Sequence, residues 1–264
     1  MIYPACLLVF ILNIFLIPAE QPWEEIDLKV YFDEYKVDGC FSLYYSENNR
    51  WIKYNGQRCR ERFIPKSTFK IPHAIIALEE GILEDEYQVI RWDGTHFPFE
   101  TWNQDQTLAT ALKYSCVWFF SELTEQIDSL TYKNYLNRFQ YGNRDIFGPP
   151  QHFWLYGKLK ISADEQIGFL QRLYFRRLGI SDRSTNLVIR LIEFEHSPDY
   201  TIYGKTGGGP IAGGSTLMWL VGFVKKGDHV YFFAMNFDCS EYNQEYADAR
   251  LEITRFVLKE LGIL

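Results

Sequence analysis

Ser67-Thr68-Phe69-Lys70 sets a hydroxyl and an amine three residues apart, a spacing that on a helix brings both side chains to nearly one face. A serine hydroxyl is a weak nucleophile and needs a base beside it. Lysine, ordinarily protonated up to about pH 10.4, can serve only if burial strips its charge, a shift that reaches about 3–5 units in extreme cases. Lys205-Thr206-Gly207, followed by Gly208-Gly209, offers a cation and a hydroxyl beside backbone that a ligand can approach closely, which suits a docked carboxylate. Ser115-Cys116-Val117 adds a second hydroxyl able to relay protons between nucleophile, base and leaving group. Each motif also has a plain structural explanation. Ser-x-x-Lys arises roughly once by chance in a chain of this length, a Lys-Thr-Gly-Gly run is also an ordinary turn, and a helical serine commonly bonds a backbone carbonyl.

The elements that must position these residues follow from periodicity. From Phe69 onward, Ile71, Ala74, Ile75 and Leu78 fall at i, i+3, i+4 and i+7, which predicts a helix starting at about Thr68 or Phe69. Ser67 then lies at its N-terminal end, Pro72 is tolerated in its first turn, and Gly81 is placed to stop it. Trp23 to Tyr35 alternates charged and apolar residues in a helix-like way. Gly39–Tyr45 and Trp51–Tyr54 read as strands joined across the polar residues 46–50. Further helical stretches are expected near Thr107–Gln126, which would carry Ser115, and near Thr131–Phe139 and Ala163–Leu178. Strands return at Tyr200–Tyr203, Thr216–Val224 and Val230–Phe237, the last two joined by a turn at residues 225–228. A final helix is expected over Ala247–Leu261, ended at Gly262. Strands at both ends with helices between predict an α/β (α+β) fold: a central antiparallel sheet covered by the terminal helices, with an inserted all-helical lobe. The sheet lobe would take about 20–68 and 198–264, the helical lobe about 69–197, and the cleft between them is the natural site.

The chain has 264 residues, and its 47% hydrophobic content is enough for a filled core. A net charge of −7 with no Lys/Arg run argues against a nucleic-acid partner, so an anionic substrate would have to be drawn in by local cations. The apolar run from Cys6 to Ile17 is short of the roughly 20 residues a membrane span needs. Residues 1–19 are therefore expected to be a secretory signal, cleaved after Ala19, with a periplasmic or secreted product; an uncleaved anchor is the alternative. Without Cys6, four cysteines remain, and Cys40 and Cys59 flank a hairpin closely enough to pair or to pack as buried thiols. The five histidines are scattered without ligand-like spacing, so no metal is expected.

The order Ser-x-x-Lys, Ser-x-hydrophobic, Lys-Thr-Gly resembles the layout of penicillin-recognising serine enzymes. The form Ser115-Cys116-Val117, together with Tyr141-Gly142-Asn143, Phe153-Trp154-Leu155 and Arg250, is similar to that of the class D (oxacillinase-type) β-lactamases, over residues from about Val37 to the C-terminus. The resemblance implies the β-lactamase/transpeptidase-like fold and hydrolysis of a small-molecule β-lactam through an acyl-enzyme on Ser67. It implies no cofactor beyond carbon dioxide, added to neutral Lys70 to make an anionic general base. Trp154, with one N–H donor and no acceptor, would hold that group, and Val117 and Phe69 would keep its pocket apolar. Ser115 would pass a proton to the departing nitrogen, and the amides of Ser67 and Gly208 would form the oxyanion hole. Lys205, Thr206 and Arg250 would hold the substrate carboxylate beside Gly207. The chain departs from the family at Lys66, a charge where a small residue is usual, and at Gly208 and Gly209, which remove side chains from the pocket. Two rivals share the motifs: a β-lactam sensor that acylates without turnover, and a peptidoglycan DD-peptidase. Substrate range and oligomeric state are not encoded in these motifs.

Overall fold

The structure, a computed structural model, describes residues 22–264; the expected signal segment, with Cys6, lies outside the described residues. Seven strands form one sheet: β1 (Trp23–Glu25), β2 (Asp38–Tyr45), β3 (Arg50–Tyr54), β4 (Glu193–His196), β5 (Thr201–Pro210), β6 (Thr216–Lys226) and β7 (His229–Cys239). Their order is β1-β3-β2-β7-β6-β5-β4, so β2 and β7, from opposite ends of the chain, pair antiparallel at the sheet's centre. The expected antiparallel sheet is present with one exception, since β1 runs parallel to β3. Trp23–Glu25 is thus a strand, and only Lys29–Asp33 (α1) of the segment read as helix-like is helical. Period-two alternation along β7 explains its central place. Val230, Phe232 and Ala234 face the helical lobe, while Phe233, Met235 and Phe237 face the C-terminal helix with Ala249, Ile253 and Val257. A strand buried on both faces needs apolar residues at nearly every position.

Nine further helices appear among the described residues: α2 (Gly56–Arg60), α3 (Lys70–Glu79), α4 (Leu108–Lys113), α5 (Val117–Gln126), α6 (Ser129–Arg138), α7 (Phe153–Tyr156), α8 (Ala163–Tyr174), α9 (Asp182–Leu191) and α10 (Gln244–Glu260). Helix α3 is the axis of the helical lobe, with every residue from Lys70 to Leu78 buried. It ends as expected at Gly81, whose φ of +68° lets its amide bond Leu78 O and the next amide bond Ala77 O.

The expected helix over Thr107–Gln126 is two helices. Ser115 sits between α4 and α5 with φ +55°; its amide bonds Leu112 O and that of Cys116 bonds Ala111 O, the same helix stop built on a serine. Arg176, at φ +57°, likewise stops α8 at Tyr174, short of the expected Leu178. Strand β5 runs past the expected Tyr203 to Pro210, so Lys205-Thr206-Gly207 lies within a strand and not in a turn after one. The four described cysteines are buried free thiols, Cys40 and Cys59 included.

Candidate active site

Ser67 lies in a 3-10 turn, Lys66–Phe69, that leads directly into α3; the α-helix itself begins at Lys70, later than expected. The turn is pinned from three sides. Thr68 Oγ1 donates to Pro65 O (2.8 Å), Gln166 Nε2 donates to Thr68 Oγ1 (2.8 Å), and Trp219 Nε1 donates to Ile64 O (3.1 Å). Lys70 Nζ donates to Ser67 Oγ at 2.7 Å. The amine is wholly buried and stands 5.4 Å from the centre of the Phe120 ring. Burial pushes its pKa down to about 7, with the neighbouring Cys116 acting weakly the other way. A lysine so placed loses its charge far more readily than an exposed one, the condition a base requires.

The left-handed backbone at Ser115 aims its hydroxyl at Lys205, whose Nζ donates to Ser115 Oγ (3.0 Å) and to Thr206 O (3.1 Å). Lys205 is 6% exposed, and burial, with Lys70 and Arg250 nearby, holds its pKa well below the ordinary range. Its amine is engaged with the mid-chain serine rather than held free for a carboxylate. Arg250, on α10, is also buried; its Nη1 donates to Gly207 O (3.0 Å), and its Nε is a buried donor without a partner among the described residues. Ser67, Ser115, Val117, Thr206, Gly207, Gly208 and Arg250 all line one cleft of about 390 Å³ between the lobes. A larger cavity of about 820 Å³ lies between α6 and the loop before α7. It holds none of the serine–lysine chemistry, so the smaller cleft is the candidate site.

Backbone alternation orients the amide of Gly208. Gly204 N donates to Ile192 O, away from β6, and β5 keeps an unbroken register with β6 from Thr201 to Pro210. With a period of two, the amides of Thr206 and Gly208 point to that same edge. There β4 has ended, at Tyr203, and the turn bearing Ser67 takes its place. The approach demands glycine at 207, where a Cβ would stand 3.1 Å from Pro65 O and 3.2 Å from Ser67 N.

Trp154, on the one-turn helix α7, is fully buried, with its ring 6.0 Å from Phe69 and its Nε1 without a partner among the described residues. A buried N–H left alone costs about 1–3 kcal/mol. This donor, in a chamber whose amine is near neutrality, fits a small anionic group on Lys70. Tyr141-Gly142-Asn143 supports the loop. Asn143 Nδ2 donates to Lys158 O (2.8 Å), its Oδ1 accepts from Lys160 N (2.9 Å), and a Cβ on Gly142 would lie 2.0 Å from Lys160 O.

Lys66 departs from expectation. It adds no charge to the cleft but turns away, 2% exposed, and donates to Leu155 O and Pro210 O, each at 2.7 Å. Nothing in its spacing signalled this. Also missed was the aromatic rim of Phe99, Trp102, Tyr156 and Tyr242, which comes from segments without periodicity. Gly208 and Gly209 open the pocket less than expected, because Met218 Sδ and Tyr242 would already stand 2.9 Å from a Cβ at 208.

The penicillin-binding protein transpeptidase domain matches residues 42–258. The chain is 39% identical to β-lactamase OXA-48 of Klebsiella pneumoniae over 250 residues, 93% of this chain and 92% of that protein. Among solved structures it superimposes on the class D β-lactamase of Sebaldella termitidis with a TM-score of 0.88 at 36% identity, covering 92% of this chain and 100% of the other. It also superimposes on the C-terminal domain of the Bacillus licheniformis BlaR penicillin receptor with a TM-score of 0.87 at 33% identity, covering 91% and 97%. Sequence and fold together make this chain a member of the penicillin-binding transpeptidase-domain family and, within it, of the class D serine β-lactamases.

Proposed function

We propose that the cleft binds a β-lactam antibiotic and hydrolyses its lactam amide through an acyl-enzyme on Ser67. The observation that carries this reading is the 2.7 Å contact between Ser67 Oγ and a wholly buried Lys70 amine. The Arg250 guanidinium and Thr206 Oγ1 receive the substrate carboxylate, the arginine already oriented by Gly207 O. The lactam carbonyl oxygen lies between the amides of Ser67 and Gly208, donors typically worth about 2.7–4 kcal/mol each. Ser67 Oγ attacks the carbonyl carbon and gives its proton to the base at position 70. The C–N bond then breaks, and Ser115 Oγ passes a proton to the nitrogen while Lys205 Nζ holds that hydroxyl in place. Water attacks the resulting ester, and Ser67 leaves with its proton restored. Were carbon dioxide added to the Lys70 amine, Trp154 Nε1 would hold the resulting carboxylate, which would supply an anionic base for both halves of the cycle. Val117 and Phe69 keep that pocket apolar.

A steady-state assay with a chromogenic cephalosporin, read together with intact-protein mass spectrometry, tests the reading. Many turnovers per Ser67, abolished in Ser67→Ala, are expected. One equivalent of product with a persistent acyl adduct would instead make the chain a receptor. D-alanine release from a cell-wall peptide without lactam hydrolysis would make it a peptidase.

A further inference from the structure

His73 lies one turn beyond Lys70 on α3, on nearly the same face. It is wholly buried, and burial, with the charge of Lys70 beside it, drives its pKa down to about 3. The ring is therefore neutral and carries a single N–H. Its Nε2 is 2.5 Å from the Tyr132 hydroxyl and 3.4 Å from Thr124 Oγ1, which spends its own proton on Phe120 O. A phenol is a far better proton donor than a neutral imidazole, so Tyr132 donates to Nε2 and the ring proton sits on Nδ1. That Nδ1 is buried and has no partner among the described residues.

A second buried donor lies against it. The His73 and Trp154 rings meet edge to face at 5.1 Å, and Trp154 Nε1 is also partnerless. The same chamber is closed by Phe120, 5.2 Å from the His73 ring and 5.4 Å from Lys70 Nζ, and by Phe69, 5.8 Å from His73. Two partnerless N–H groups in an aromatic chamber beside an amine of depressed basicity are the complement of an anion. We propose that His73 Nδ1–H is a second hydrogen-bond donor, alongside Trp154 Nε1–H, to the carboxylate that carbon dioxide forms on Lys70. Tyr132 is the positioning residue that selects the donating tautomer. The inference rests on the reading of Lys70 given under the proposed function.

Carbon-13 NMR of the protein in labelled bicarbonate reads occupancy of Lys70 without any substrate. His73→Leu is expected to raise the bicarbonate concentration for half-occupancy roughly tenfold, the weight of one hydrogen bond to a charged group. His73→Asn, which restores an N–H, should recover most of that loss. Tyr132→Phe, which keeps the imidazole but frees its tautomer, should weaken occupancy by roughly two- to threefold and serves if His73→Leu does not fold. A parent signal with unchanged half-occupancy in His73→Leu, or in Tyr132→Phe where only that variant folds, overturns the role of His73; the donors then serve a buried water, which bicarbonate does not move. No lysine-bound signal in the parent overturns the reading of Lys70 itself.

Discussion

Lys66 and Lys70 stand on either side of the nucleophile, both almost wholly removed from water, yet their amines face opposite kinds of neighbour. Lys66 meets two carbonyl oxygens, which stabilise an ammonium. Lys70 meets one hydroxyl, in an aromatic chamber where Trp154 Nε1 and His73 Nδ1 have no partner among the described residues, which favours a neutral amine or an anion. Burial pushes the first down to about 8 and the second to about 7. Both are lowered by burial, so it is the two carbonyl acceptors that favour the charged form at Lys66 and their lack that leaves Lys70 open to reaction. What distinguishes a structural lysine from a base is thus not burial, which they share, but whether acceptors or donors surround it.

The largest effect that tests this contrast is on turnover. Lys70→Met is expected to lower kcat by about 10²–10⁴-fold, the usual weight of a general base, with no loss of thermal stability. The sign follows from linkage. A folded pKa near 7 against an ordinary 10.5 means the unfolded chain binds more protons across that interval, so this group makes stability rise with pH from about 7 to 10.5. Thermal unfolding followed across that range should show a shallower slope in Lys70→Met, and an unchanged slope with unchanged kcat would remove Lys70 from its place in the contrast. Lys66→Met should act the other way, keeping kcat within about tenfold while leaving Leu155 O and Pro210 O without a donor. An expected loss of about 1–3 kcal/mol, read as a drop of several degrees in Tm, checks it; a variant as stable as the parent breaks the comparison. The smallest effect concerns Ser115, a serine held at a helix stop that glycine fills more cheaply. Ser115→Gly should stabilise the fold by about 1 kcal/mol while slowing turnover, and a fall in stability would show that the hydroxyl's bond to Lys205 outweighs its backbone cost.

The same helix stops explain how far the fold could be read in advance. Where the left-handed residue is glycine, at Gly81 and Gly262, the ends of α3 and α10 were legible to within about a turn. Where it is Ser115 or Arg176, local composition carries no stop signal, so α4 and α5 were read as one helix and α8 ran too long. α9 and β4, short and partly exposed, were missed. The strand is expected to end at Tyr203, before Lys205 to Gly209, because glycines weaken a strand locally; here pairing with β6 overrides that preference. In the site, motif order points to Ser67, Lys70 and Ser115, and the family resemblance to Arg250, but neither indicates their partners. The burial of Lys66, the orphan nitrogen of His73 and the aromatic rim depend on contacts between segments far apart in the chain, which no local pattern records.

Because β7 pairs with β2 at the middle of the sheet, and Arg250 follows β7 in the chain, the pocket cannot exist on a partly synthesised polypeptide. Strands β1, β3 and β2 can pair with one another early, but the second edge of β2 must wait for β7, and such long-range closure is slow. The nucleophile, made well before α10, stays inert until that helix has docked.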